Sequence, residues 1–212
     1  MHLTIEEARA LYTGTDSVHD FDHILRVLAL AERIARAEGA DLAIVQAAAL
    51  LHDWGRPDAP ALGRDHADVA SERTAELLAS RDLPADHIES IVHAIAAHRF
   101  RSDPAPQTLE AQVLFDADKL DAIGAIGVAR AFAYCGGHGQ RLWAPRDVVD
   151  LAHWQTHGDD PSVHTAVHEF VVKLSRIKGR LYTAEGRRIA EDRHTYMAAF
   201  FDRLDAEVLG VR

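Results

Sequence analysis

The sequence predicts an all-α fold. Apolar residues recur at i, i+3 and i+4 along most of the chain, no stretch of any length alternates, and segment ends carry capping residues or glycine. With 212 residues, 48% hydrophobic and 26% charged, residues 1–212 are expected to form a single domain. Its core needs no disulfide or metal staple.

The first helix opens at Thr4, where Glu7 three residues on completes a capping-box pattern. The second runs from about Val18 to Glu38 on the stripe Ile24, Val27, Leu28, Ala31, Ile34 and Ala35, and stops at Gly39. Asp41 caps a third, "LAIVQAAALLHDW", apolar on every side except Gln46 and therefore central. A loop with Pro57, Pro60 and Gly63 follows. Helices are expected over 65–80 and 84–99, the latter opened by Pro84. One long helix spans Thr108 to Tyr134 until "CGGHGQ" breaks it, Pro145 and Pro161 open two more, and Thr183 starts the last. That last helix carries the stripe Ile189, Tyr196, Met197, Phe200, Leu204 and Val208.

Composition narrows the function classes. A net charge of -10 argues against general nucleic-acid binding, which runs on basic surface. The single Cys135 forms no internal disulfide and fits a reducing compartment. "MHLTIEEARALY" reads as an amphipathic helix rather than a signal segment, and no window approaches the ~20 apolar residues of a membrane span. A cytoplasmic protein is expected. The chain has 14 histidines, so their positions decide which of them matter.

"AAALLHDWGRP" ends a buried helix in His52-Asp53, two polar groups that are costly to bury without partners. Near a helix end both can converge on one ion. "HDFDHILRV" offers His19 and His23 on one helix face, and "VLFDADKLDAIGAIGVAR" offers Asp116, Asp118 and Asp121 inside an apolar helix. Taken singly, each is explained by a satisfied rim histidine or by acids complementing a helix dipole. The set together is harder to explain that way.

The order His23, His52-Asp53, Asp118 resembles the signature of the HD-domain metal-dependent phosphohydrolases, an all-helical superfamily. "HDFDHILRV", "AAALLHDWGRP", "HAIAAHRF", "DADKLDAIGAIGVAR" and the C-terminal "VKLSRIKGRLYTAEGRRIAEDRHTYMAAFFDRLDAE" are similar to small single-domain bacterial members of the YpgQ/YedJ type. The likeness covers nearly the whole chain. It implies a metal motif over 19–118, with helices of 145–210 completing the pocket. It also implies that His23, His52, Asp53 and Asp118 coordinate one divalent ion between core helices. The implied activity is nucleotide pyrophosphohydrolysis, cutting a nucleoside triphosphate to monophosphate and pyrophosphate.

Imidazole with carboxylate oxygen suits Mn, Fe, Co, Ni or Zn. Such an ion polarises a phosphorus–oxygen bond and acidifies a bound water. Phosphoryl chemistry also needs nearby cations. Lys119 and Arg26 are the proximal candidates and Lys173 and Lys178 the distal ones, each also readable as an ordinary solvated cation. Asp121 is a candidate for orienting Lys119 or a ligand. His66 and His98 either contact phosphate and the attacking water or, with a bridging Asp53, hold a second metal. His93, five residues from His98, does not share its face, and His19, His138, His153, His157 and His164 read as surface or structural. The partner expected is a small phosphorylated molecule, with neither nucleic acid nor membrane, and a homodimer is among the open oligomeric states. Rival readings are a nucleotidase or phosphodiesterase, a dinuclear-iron HD oxygenase, and a non-catalytic metal or nucleotide sensor.

Overall fold

The computed structural model describes residues 3–13, 20–81, 83–99, 104–146 and 164–212. Among these the secondary structure is helical, with no strand. Two compact units emerge, residues 1–118 with 181–186 and residues 119–180 with 187–212. His19, His153, His157 and the helix expected after Pro145 lie outside the described residues, as does Pro161 itself.

In the first unit α1 (Ile5–Leu11) carries the complete capping box between Thr4 and Glu7. Helix α2 (Phe21–Glu38) is capped by Asp20, whose carboxylate accepts from the His23 N–H at 3.1 Å. Its expected stripe is buried, and Gly39 ends it with a left-handed φ of 80°. Helix α3 (Leu42–Leu51) starts where the Asp41 carboxylate accepts from the N–H groups of Ala43 and Ile44. It packs against α1, α2 and α6, and Val45, Ala48, Ala49 and Leu51 have no exposed surface. Each fully buried large aliphatic side chain contributes about 1.5–3 kcal/mol. The helix is therefore anchored firmly up to the residue before His52.

The turn after α3 holds a short helix that the loop reading missed, α4 (Ala59–Leu62), with Pro60 in its first turn and Gly63 as its stop. Helices α5 (His66–Ala79) and α6 (Ala85–Ala96) pack on each other. A Cβ at Gly55 would lie 2.7 Å from the Val69 Cβ and 2.8 Å from the Ala70 amide nitrogen. Glycine is thus what lets α5 close over the turn that follows His52-Asp53.

The expected helix from Thr108 to Tyr134 is two helices, α7 (Leu109–Leu120) and α8 (Gly124–Gly137). Apolar periodicity runs through the break, which is why sequence spacing does not reveal it. Ile123 is extended and Gly124 adopts φ +78°, a conformation that costs other residues. The Arg193 guanidinium donates to the Leu120 carbonyl at 2.6 Å, satisfying an end group that a continuing helix would have bonded itself.

The second unit adds α9 (Ala166–Val172), a helix in the stretch expected after Pro161, which packs on α8, and a 3₁₀ run from Leu174 to Arg180 that the spacing did not announce. The last helix, α10 (Ala184–Val208), begins directly after Thr183 as expected. Its stripe needs correcting: Ile189 and Met197 are buried, but Tyr196 and Val208 are exposed, and the buried aromatic is Phe201.

Candidate metal centre

Six side chains from five helix ends of the first unit converge. His23 sits in the first turn of α2, and His52 and Asp53 follow the last residue of α3. His66 opens α5, His98 lies two residues beyond α6, and Asp118 is in the last turn of α7. His23, His52, Asp53 and His98 are all 2% exposed or less.

They form two groups, His23–His52–Asp118 and Asp53–His66–His98, each with one ligand atom per residue and all within 4.8 Å. The Nε2 atoms of His52 and His23 are 3.4 Å apart. Oδ1 of Asp118 lies 3.5 Å from the His23 Nε2 and 3.9 Å from that of His52. Asp53 lies between the groups. Its Oδ2 is 3.8 Å from His23 and 3.9 Å from His52, while its Oδ1 is 3.4 Å from His66 and 3.8 Å from His98.

Backbone contacts set the tautomers. His52 Nδ1 donates to the Ala49 carbonyl at 2.9 Å, and His98 Nδ1 donates to that of Ile95 at 2.6 Å. Each Nε2 then carries the ring's lone pair, the second-atom arrangement typical of metal-ligating histidine. Donors about 2.1 Å from a shared ion stand roughly 3.0 to 4.2 Å apart, from right angles to opposite positions. The five separations of 3.4 to 3.9 Å that link His23 and His52 to each other and to Asp53 and Asp118 fall inside that span. The donor set therefore fits a divalent ion of borderline hardness.

The electrostatics agree. Burial lowers the pKa of His52, and burial followed by the Arg56 charge pushes His66 down to about 4, so both rings are neutral ligands at physiological pH. Burial works against a charge on Asp53, yet the Arg56 guanidinium bonded to both its oxygens helps hold its carboxyl well below the usual range.

The sequence reading missed Arg56. Its Nε donates to Asp53 Oδ2 at 2.7 Å, and its Nη2 donates to Asp53 Oδ1 and to His66 Nε2, both at 2.9 Å. Its i+3 position from Asp53 on a turn was the available signal. A cavity of about 390 Å³ opens beside it, lined by Arg56, Arg64, His66 and Arg99 among others. Arg64 is paired with Glu72, and Arg99 with Asp65.

The remaining candidates are placed as follows. Asp116, fully buried, accepts from the N–H groups of Tyr182 and Thr183 and from the Thr183 hydroxyl, so it anchors the start of α10 rather than an ion. Asp121 is 1% exposed and accepts from Arg130 at 2.8 Å. Lys173 pairs with Glu169 and Lys178 with Glu191, both within the second unit. Arg26 and Lys119 are half-buried on α2 and α7, Lys119 directly after Asp118. The His93 ring accepts from the Gln107 N–H, apart from both groups. Cys135 is buried, and burial followed by the Glu169 charge pushes its thiol up to about 11, so it is no nucleophile at neutral pH. No helix among the described residues is long and apolar enough to cross a membrane.

Comparison with known proteins matches residues 20–123, which include all six donors, to the HD domain. The Bacillus subtilis protein YpgQ is 31% identical over 207 residues, covering 96% of this chain and 91% of its own. Its crystal structure in complex with ADP superposes with a TM-score of 0.74 at 31% identity, covering 99% of this chain and all of that one. An HD-superfamily hydrolase from Bacillus thuringiensis superposes at 0.71 with 28% identity over 96% of this chain and 93% of its own. The chain belongs to the HD-domain family.

Proposed function

We propose that this protein is a metal-dependent nucleotide pyrophosphohydrolase, converting a nucleoside triphosphate to its monophosphate and pyrophosphate. The observation that carries the reading is that Asp53 Oδ2 and Asp118 Oδ1 each lie within 3.9 Å of both His23 Nε2 and His52 Nε2, which are 3.4 Å apart. The ADP complex of YpgQ supports a nucleotide as the ligand. Those four residues would hold one divalent ion, Mn, Fe, Co, Ni or Zn. When bound, it polarises the phosphate and acidifies a water.

The chain supplies the rest. The cavity beside Arg56 is walled by guanidinium groups that suit phosphate oxygens. Arg26 and Lys119 neutralise charge near the reacting phosphate, and His66 and His98 orient the attacking water. Water oxygen bonds to the α-phosphorus, the bridge to the β-phosphate breaks, and pyrophosphate leaves with the electron pair.

The test is turnover by metal-stripped protein with Mn²⁺ returned, read by phosphorus NMR against nucleoside tri- and monophosphates. Equimolar monophosphate and pyrophosphate from a triphosphate, only with metal, is the expected result. Phosphate released from monophosphates instead moves the assignment to a nucleotidase. No turnover of either in a metal-loaded protein overturns the hydrolase reading.

A further inference from the structure

The end of α3 must meet the start of α2 for His52 and His23 to face each other, and one side chain from ahead of the matched HD region touches both. We propose that Tyr12 is a positioning residue for the metal centre, its hydroxyl holding the end of α3 that carries His52-Asp53 and its ring holding the start of α2 that carries His23. The inference rests on the metal reading above and adds a residue that precedes the HD match over 20–123.

The hydroxyl acts on α3. The last carbonyls of a helix have no partner within it and need partners from elsewhere. At this end Ala49 accepts from His52 Nδ1 at 2.9 Å, Leu50 accepts from the Tyr12 hydroxyl at 2.9 Å, and Leu51 accepts from the Trp54 N–H at 3.1 Å. Leu50 is the carbonyl that a continuing α-helix would offer to the Trp54 N–H, four residues on. With Tyr12 on that carbonyl, Trp54 closes a tighter i+3 turn, and the Arg56 N–H closes another on the Asp53 carbonyl at 3.0 Å. His52 and Asp53 leave the helix in that tightened turn, which fixes how their side chains diverge.

The ring acts on α2. It meets Phe21 edge to face, with centroids 5.3 Å apart and planes at 66°. Phe21 is the first residue of α2 and is 7% exposed. The Arg9 guanidinium lies 4.3 Å from the centroid of the same ring, so Phe21 is gripped twice from the α1 segment. Tyr12 is itself held, because its N–H donates to the Arg9 carbonyl at 3.2 Å and α1 packs on α3 with Ala8 fully buried. It therefore bears on the residue two places before each of the histidines whose Nε2 atoms stand 3.4 Å apart.

The experiment measures Mn²⁺ affinity by competition with a fluorescent chelator, and urea unfolding of the metal-free protein, for wild type, Tyr12→Phe, Tyr12→Leu and Ile34→Val. Ile34 is fully buried on α2 about 16 Å along the helix from His23, so shortening it destabilises the unit far from the centre. We expect Tyr12→Phe, folded by circular dichroism, to bind Mn²⁺ about 10-fold more weakly, as on losing a partner that orients a ligand. Tyr12→Leu, which loses the ring as well, binds more weakly still. Ile34→Val keeps wild-type affinity although its urea midpoint falls. A merely structural tyrosine would lower the urea midpoint and leave the affinity of the folded protein unchanged. Affinity within about twofold of wild type in Tyr12→Phe, well short of the loss expected for an orienting partner, overturns the proposal and leaves the metal centre standing. An equal loss in Ile34→Val does the same. Folded wild type that binds no Mn²⁺ overturns the metal centre itself, a separate failure.

Discussion

His23 Nε2 and His52 Nε2 stand 3.4 Å apart in the core of the first unit, with no exposed surface to speak of. Because the other nitrogen of His52 is committed to the Ala49 carbonyl, the His52 Nε2 carries a lone pair that faces the His23 ring and can be met by a proton on His23 or by an ion.

It follows that His52→Gln, which keeps volume but moves the donor, loses metal affinity by more than about 100-fold, the upper end for disturbing even an outer partner of a ligand. Nucleotide turnover falls in parallel, while the helical circular dichroism persists. Competition with a fluorescent chelator measures the affinity.

The two aspartates of "FDADK" separate cleanly. Asp116→Ala orphans two backbone N–H groups and a hydroxyl at the start of α10, and costs about 3 kcal/mol in denaturant unfolding. The folded fraction still binds metal. Asp118→Asn does the reverse, staying folded and losing the ion.

Gly55→Ala forces a methyl against Val69 and the Ala70 amide. Overpacking at such a site costs about 1–3 kcal/mol, and moving α5 displaces His66 at its start. A fall in the urea midpoint at unchanged slope is the expected signature.

Acid stability has a contribution outside the metal centre. Burial, then the nearby His164, lowers the pKa of His168 from 6.5, and its Nδ1 is hydrogen-bonded to the Thr165 hydroxyl at 3.1 Å. The unfolded chain therefore binds the extra proton first. Stability at this site is complete above 6.5 and falls as pH drops below it. His168→Gln flattens the pH dependence of the melting temperature between pH 7 and the lowered value, and an unchanged slope contradicts this.

Much of this was legible in the sequence because burial and charge leave marks at fixed spacing. The stripe of α2, the all-round apolar α3 and the caps at Thr4 and Asp41 each follow from local rules, and their structures agree. His23, His52, Asp53 and Asp118 stood out as polar groups interrupting apolar runs. Arg56 did not, because an arginine in a polar turn looks like any solvated cation until its partners are known. Likewise the break before Gly124 was hidden, since Asp121, Ala122 and Ile123 continue the helical pattern and the Arg193 that caps Leu120 lies far along the chain.

The most direct test of the central claim is pulsed electron paramagnetic resonance of Mn²⁺ bound to the protein, which detects nitrogen nuclei coordinated to the ion. The account expects couplings from two imidazoles, His23 and His52, with one lost in His52→Gln at high Mn²⁺ concentration. A spectrum without imidazole nitrogen, or one indifferent to His52→Gln, contradicts it.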